Sequence, residues 1–125
     1  MMNMINVCAD FAYGMVEVHP EILNATYGKP AEINCTATSE HDVEWEFMRE
    51  GASSKLTICT ESVVPDEVAN EYTCNKVGRT HTLTIANVGF DDAGKYTCIE
   101  SGGRSTNSSS ARLVVSSKCD LCSIT

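Results

Sequence analysis

Apolar residues alternate with polar ones in short runs along this chain, and turn-forming residues separate the runs. The run 31–37 places Ile33 and Cys35 on one side and charged or polar residues on the other, and the run 43–48 repeats the pattern around Trp45. A period of two is that of a β-strand with one buried face. The pattern therefore predicts short β-strands, and no segment shows a helical period.

The same criterion predicts strands along the rest of the chain. A first strand over 15–19 and 22–25 is interrupted by Pro20, and the others are expected at 56–59, 71–76, 80–85, 94–100 and 111–116. The polar segment 61–70 is expected to be irregular, and Ser101 to Ser110, rich in Ser and Gly, to be a hairpin loop. Many short strands with turns between them are typical of a two-sheet sandwich.

Four residues specify which sandwich this is. Trp45 lies in the strand after Cys35, and Tyr96 comes two residues before Cys98. This arrangement resembles the immunoglobulin-type sandwich, in which the two cysteines form a buried disulfide under the tryptophan and the tyrosine ties a corner. The fold class predicted is all-β, an immunoglobulin-like Greek-key sandwich of variable or intermediate type, with Leu83 in its core.

Asp92 is expected to have a packing role. In variable-type domains an Asp at this offset pairs with a basic residue that precedes the neighbouring inward strand. Arg79 is the candidate partner here, and Lys76 is the second.

Length, charge and cysteine content limit the classes of protein. The chain has 125 residues, enough for one domain, and its net charge of −8 argues against nucleic acid and against a basic membrane patch. Seven cysteines indicate an oxidising compartment. No apolar run approaches the roughly 18 residues that span a bilayer, so the membrane anchor of a surface protein is expected beyond the C-terminus.

We expect an immunoglobulin-like domain over 15–116, followed by the start of a stalk over 117–125. Residues 1–14 are interpreted as the remnant of a leader or as an artificial tail. If that segment is removed, Cys8 goes with it and an even number of cysteines remains.

Cys59 and Cys74 form a second pair of interest. They fall in successive strands that should lie near each other at one edge of the sandwich, so a disulfide is reasonable. The alternative is two unrelated buried thiols. With this pair and the later cysteines, the chain resembles the T-cell costimulatory receptors, of the inducible costimulator and cytotoxic T-lymphocyte antigen type. The resemblance implies a Cys59–Cys74 disulfide and an interchain cysteine in the stalk.

Two departures from that family are visible. The segment 101–107 lacks the proline-rich motif by which costimulatory receptors bind ligands, so that mode of recognition is not transferred. Trp45 is present, whereas several relatives lack the tryptophan.

Cys119 and Cys122 follow the last predicted strand, and four interpretations compete. A redox pair needs a helix N-terminus, and none is predicted. A zinc site needs further ligands, and His19, His41 and His81 are scattered. A local disulfide and an interchain stalk disulfide remain, and the resemblance favours the second.

Three Asn-x-Ser/Thr sequences are acceptors for N-linked glycosylation, at Asn24, Asn34 and Asn107. Chance occurrence is the alternative for each. Three in one secreted-type domain favour use of at least one, and Asn34 should point outward because Cys35 points inward.

The period of two also assigns an outward face to the sheet that holds the tryptophan strand and the last two strands. An apolar centre between charges suits a protein interface, whereas a solvated sheet with cross-strand ion pairs is the alternative. The predicted binding face comprises Glu44, Glu46, Met48, Lys95, Thr97, Ile99, Arg112 and Val114.

These observations predict the extracellular domain of a cell-surface immune-type receptor that binds a protein ligand at cell contacts, with a costimulatory or an inhibitory role. A disulfide-linked homodimer or heterodimer is expected through the stalk. The alternatives are an antigen-receptor-associated signalling chain of the Ig-alpha/Ig-beta type and a secreted adhesion or decoy module. No catalytic arrangement is recognisable, so we expect neither an enzyme nor a cofactor or metal.

Overall fold

The computed structural model describes residues 16–60, 63–102 and 105–117. The side chains described within them are those of residues 16–60, 63–100 and 107–117. The predicted leader or tail, Cys8 and the stalk cysteines Cys119 and Cys122 lie outside these residues.

The described chain forms nine strands in two sheets. They are β1 (Glu17–His19), β2 (Ile22–Thr26), β3 (Ala31–Thr36), β4 (Val43–Arg49), β5 (Leu56–Thr60), β6 (Tyr72–Val77), β7 (Thr80–Ile85), β8 (Gly94–Gly102) and β9 (Ser105–Ser116). Two 3₁₀ turns, Asp66–Val68 and Phe90–Asp92, complete the described elements. The predicted two-sheet sandwich is confirmed.

Pro20 divides the first predicted strand between the two sheets. β1 pairs antiparallel with β3, whereas β2 pairs parallel with β9. Proline lacks an N–H and fixes its own φ, so a strand readily ends there. The front sheet therefore has the order β2-β9-β8-β4-β5, and the back sheet has the order β1-β3-β7-β6.

The inward residues of both sheets form one core. Trp45, Tyr96 and Leu83 are almost completely buried, as the alternation predicted. The rings of Phe47 and Tyr96 stack with their centroids 4.5 Å apart. Burial of a large apolar side chain contributes about 1.5–3 kcal/mol, so these residues provide much of the driving force for folding.

Two disulfides join the sheets. Cys35–Cys98 connects β3 to β8, and Cys59–Cys74 connects β5 to β6. Since β5 and β6 are the edge strands of their sheets on the same side of the sandwich, the second bond closes that edge. Both predicted disulfides are confirmed.

The predicted hairpin loop over 101–110 is wrong for most of its length. β8 continues to Gly102 and β9 begins at Ser105, with Ser105 opposite Gly102 and Asn107 opposite Glu100. Backbone hydrogen bonds hold this ladder, and they do not require apolar side chains. The Ser-rich sequence carries no alternation that would have revealed it.

We expect Gly94→Ala to destabilise the domain strongly. A Cβ at Gly94 would collide with the Met48 carbonyl oxygen and lie 2.9 Å from Arg49 Cα, both backbone atoms of the neighbouring strand. The expected loss in free energy of unfolding is about 3 kcal/mol, the upper part of the range for overpacking, measured by urea denaturation. Gly78→Ala is the control, because Gly78 also has positive φ but open space around it. Equal losses for the two variants would contradict the steric argument.

Candidate recognition face

The outward side of the front sheet, here called the front face, brings together all eight residues predicted for binding. Glu44 lies opposite Ile99, Glu46 opposite Thr97, and Met48 opposite Lys95. Arg112 continues the last row on β9, opposite Lys95, and Val114 follows it two residues later. Ile99 and Met48 are half-buried, whereas Lys95, Arg112 and Val114 are exposed. The face thus has a partly apolar centre with charges around it.

Further residues belong to this face although the alternation did not predict them. Ser108 and Ser110 lie opposite Ile99 and Thr97, and Ile22 lies opposite Arg112 on the parallel strand β2. Ile22 is 61% exposed, an unusual degree for an isoleucine. The Ser-rich run carries no alternation of its own, so only the period of the next predicted strand, extended backward from Arg112, would have indicated the two serines.

The charges on the front face are unevenly distributed. Glu44 and Glu46 lie next to each other on β4, while Lys95 and Arg112 lie toward the opposite end of the face. Burial, together with the neighbouring Glu46, raises the pKa of Glu44. Two carboxylates therefore lie close together in a partly desolvated part of the front face.

Two ion pairs border the front face, and in each a strand residue pairs with a residue just outside a strand. Glu46 lies 3.7 Å from Lys55 Nζ, and Arg112 lies 3.1 Å from Glu50. The Arg112–Glu50 pair is well exposed on both sides, so it contributes little to stability.

Glu100 supports the loop beside the front face, and the sequence did not reveal this role. Its side chain is 5% exposed. One carboxylate oxygen accepts hydrogen bonds from Thr38 N (3.1 Å) and Oγ1 (2.7 Å), and the other from Ser39 N (3.1 Å) and Oγ (2.9 Å). Burial alone would raise the pKa of Glu100, but these four hydrogen bonds outweigh it and hold the pKa below its ordinary value.

Lys76 holds the same loop from the other sheet. Its Nζ donates to the Glu40 carbonyl oxygen at 2.5 Å and to Asp42 at 3.2 Å. The loop therefore has a defined position at the end of the front face, where Glu40, Asp42 and Glu44 border one shallow concavity with Ile99.

The expected pairing of Asp92 with Arg79 or Lys76 is wrong. Asp92 instead accepts hydrogen bonds from Gly89 N at 2.7 Å and from Tyr72 Oη at 3.4 Å. Arg79 is exposed and points toward the Thr38 carbonyl oxygen. The β6–β7 turn that holds Arg79 lies at the end of the sandwich next to Ala37, whereas Asp92 lies at the other end.

The predicted tyrosine corner has the expected geometry. Tyr96 Oη donates to the Asp92 carbonyl oxygen at 2.7 Å. Burial raises the pKa of Tyr96 far above its ordinary value, so the hydroxyl stays a hydrogen-bond donor at all ordinary pH values.

The three glycosylation sequences lie in different surroundings. Asn24 is exposed on the front face opposite Val114, Asn34 is exposed on the back sheet, and Asn107 is half-buried in β9. Asn107 thus lies in a strand rather than in the predicted loop. Glycosylation at each position remains a prediction.

The histidines do not converge. His19 and His41 are exposed, and His81 is buried in β7, where burial lowers its pKa. Among the described side chains, no group of three or more His, Cys, Asp or Glu is placed to hold a metal ion. In the same part of the chain, no helix has the length and apolar content needed to cross a bilayer.

Comparison with known proteins agrees with this architecture. A family profile described as immunoglobulin domain matches residues 15–101. The chain belongs to the immunoglobulin domain family. The immunoglobulin domain is a fold that is not itself enzymatic.

Three proteins of different kinds are similar to this immunoglobulin domain. The chain is 32% identical over 115 residues to human leucine-rich repeats and immunoglobulin-like domains protein 2, covering 87% of this chain and 10% of that protein. It is 30% identical over 103 residues to vascular endothelial growth factor receptor 2 of Danio rerio, covering 79% and 8%. It is 31% identical over 81 residues to Ig kappa chain V region 3368 of Oryctolagus cuniculus, covering 63% and 73%. The chain thus spans about a tenth of the first two proteins.

We expect Glu100→Gln to destabilise the domain at neutral pH and to matter less in acid. The amide cannot accept hydrogen bonds from all four donors, and the loss of charge-assisted bonds is expected to cost about 2 kcal/mol. Because the carboxyl pKa is lower in the folded chain than the 4.5 of the unfolded one, its stabilisation is complete above that value. It is lost as the pH falls through the folded pKa.

The measurement is thermal unfolding of both proteins between neutral pH and the acid range. The difference in Tm should shrink as the pH falls below about 4.5. A Tm difference that is constant across this range would show that the charge of the Glu100 carboxylate does not stabilise the loop.

Proposed function

We propose that this immunoglobulin domain is the extracellular recognition module of a cell-surface immune-type receptor, and that it binds a protein ligand through the front face. The single observation that supports this most is the contrast between the two faces. The front face carries Ile22, Met48, Ile99 and Val114 among its charges, whereas the outward side of the back sheet carries mostly Thr, Asn and charged residues.

The composition of the front face suits a protein partner. Protein interfaces commonly have a partly apolar, desolvated centre and a polar, charged rim. Ile99 and Met48 would provide part of that centre, while Glu44, Glu46 and Arg112 would contribute rim charges. The acidic pair Glu44 and Glu46 lies toward one end of the face and the basic pair Lys95 and Arg112 toward the other. A partner with the complementary charge distribution would therefore be oriented as it approaches.

The Cys59–Cys74 disulfide supports the costimulatory branch of the family within this function. It joins the two edge strands, and the costimulatory receptors have a bond between the same pair of strands. A costimulatory or inhibitory role at cell contacts follows from that branch, with the membrane anchor on a segment beyond Thr125.

Ile99→Arg tests the proposed face. The variant should bind the partner at least about 30-fold more weakly, which corresponds to about 2 kcal/mol for a central contact. Tetramers of the chain would be applied to a panel of leukocytes and binding measured by flow cytometry. Recovered partners would then be titrated to give a Kd. Because Ile99 points outward, the Tm should remain close to that of the wild type.

Thr73→Arg is the matched control. Thr73 is exposed on the back sheet, so this variant adds the same charge without touching the front face. Unchanged binding by Ile99→Arg, or equal loss by Thr73→Arg, would contradict the assignment of the front face.

We separately propose that Cys119 or Cys122, in the predicted stalk, forms a disulfide with a second chain. We expect a dimer on non-reducing gels that reducing agent converts to monomer, and that Cys119→Ser/Cys122→Ser abolishes. The domain itself should remain folded in that variant because Cys35–Cys98 and Cys59–Cys74 are intact. A wild-type monomer in which Cys119 and Cys122 are joined to each other would contradict the interchain bond.

A further inference from the structure

Asn34 lies within the outward side of the back sheet, here called the back face. It is on β3, an inner strand, and its neighbours across the sheet are His19 on β1 and Thr82 on β7. The surrounding outward residues are almost entirely polar, and Val77 at the end of β6 is the apolar exception; they are Glu17, Glu32, Thr36, Thr73, Asn75, Thr80 and Thr84. This composition is poor in the apolar contacts of a protein interface.

The side chain of Asn34 is held in a way that leaves its reactive atom available. Thr82 Oγ1 donates a hydrogen bond of 2.7 Å to Asn34 Oδ1. N-glycosylation modifies the amide nitrogen Nδ2 and leaves Oδ1 as an acceptor, so the same hydrogen bond persists in the modified residue. The bond would then orient the first sugar away from the sheet.

The sequence motif and the strand geometry agree at this position. Asn34 and Thr36 are both exposed, because Cys35 between them points into the core. The hydroxyl of the motif is thus on the same side as the acceptor amide. Of the other two sequences, Asn107 is half-buried, and Asn24 is exposed on the edge strand β2 of the front sheet, away from Ile99 and Met48.

We propose that Asn34 carries an N-linked glycan that covers the back face and leaves the front face as the surface open to partners. The proposal rests on the extracellular location in the proposed function. In the reaction, Asn34 Nδ2 bonds to the anomeric carbon of a lipid-linked oligosaccharide. It loses one proton and displaces the lipid pyrophosphate. The glycan is bulky and hydrated, so it prevents close approach of another protein to the β3–β7 surface.

Two substitutions of one residue separate the glycan from the side chain that accepts it. Thr36→Ala destroys the motif but keeps Asn34, and Thr36→Ser keeps both the motif and Asn34. The full chain would be secreted from mammalian cells in wild-type and variant forms. Mass spectrometry of the Asn34 peptide, before and after peptide N-glycosidase treatment, gives its occupancy.

We expect the wild type and Thr36→Ser to be glycosylated at Asn34 and Thr36→Ala to be unmodified there. An unmodified Asn34 in secreted, folded wild type would overturn the proposal. This result needs no ligand, so it is independent of whether the front face binds one.

Two exposed histidines can report whether a glycan on Asn34 covers the back face. His19 is exposed and lies directly opposite Asn34, whereas His41 is exposed in the loop between β3 and β4, away from the back face. Diethyl pyrocarbonate acylates accessible neutral imidazoles. The rate of modification of each histidine can be followed by mass spectrometry in Thr36→Ser and Thr36→Ala.

We expect His19 to react severalfold more slowly in Thr36→Ser than in Thr36→Ala, with the same rate for His41 in both. Equal His19 rates with Asn34 fully glycosylated would show that the glycan does not cover the back face, and would overturn that part of the proposal. A change at His41 of the same size would contradict local coverage as well.

Discussion

The position of Trp45 between two disulfides is the constraint on which the rest of the domain depends. Its neighbours in the front sheet are Cys98 on β8 and Cys59 on β5, and each of these cysteines is bonded to the back sheet. The indole is 1% exposed. A strand alternates its faces strictly, so burial of this one ring decides that Glu44, Glu46 and Met48 face outward.

Hydrogen bonds fix the strand β8 near both of its ends. At its start, the Asp92 backbone carbonyl accepts the Tyr96 hydroxyl, and near its other end the Glu100 carboxylate holds the residues 38–39. Ile99 lies between these fixed points. Under the proposed function, Ile99 would therefore lose little further backbone freedom on binding, and this lowers the cost of association.

Local rules explain which features could be predicted from the sequence. Alternation and the spacing around Cys35, Trp45, Tyr96 and Cys98 suffice for the sandwich, because burial in a strand repeats every two residues. The eight front-face positions follow from the same rule.

The missed features depend on contacts that are distant in the sequence. Glu100 is buried because Thr38 and Ser39 supply four hydrogen-bond donors. These residues are far from Glu100 in the sequence, so no local pattern predicts the contact. The predicted pair of Arg79 and Asp92 does not form because the β6–β7 turn lies at the opposite end of the sandwich from Asp92. The local sequence does not indicate at which end that turn lies. The β9 ladder through the serines depends on backbone pairing with β8, which side-chain polarity does not reveal.

The two faces of the sandwich share the same backbone geometry but differ in the side chains that they expose. Each outward row alternates with a buried row, so a surface residue can change without altering the core behind it. On β3 this freedom places an Asn and a Thr on either side of a buried cysteine, and on β8 it places Thr97 and Ile99 on either side of the other half of the same disulfide. One buried bond therefore supports a polar surface on one side and a partly apolar surface on the other. A glycan on the first would leave the second as the surface on which a protein ligand can dock.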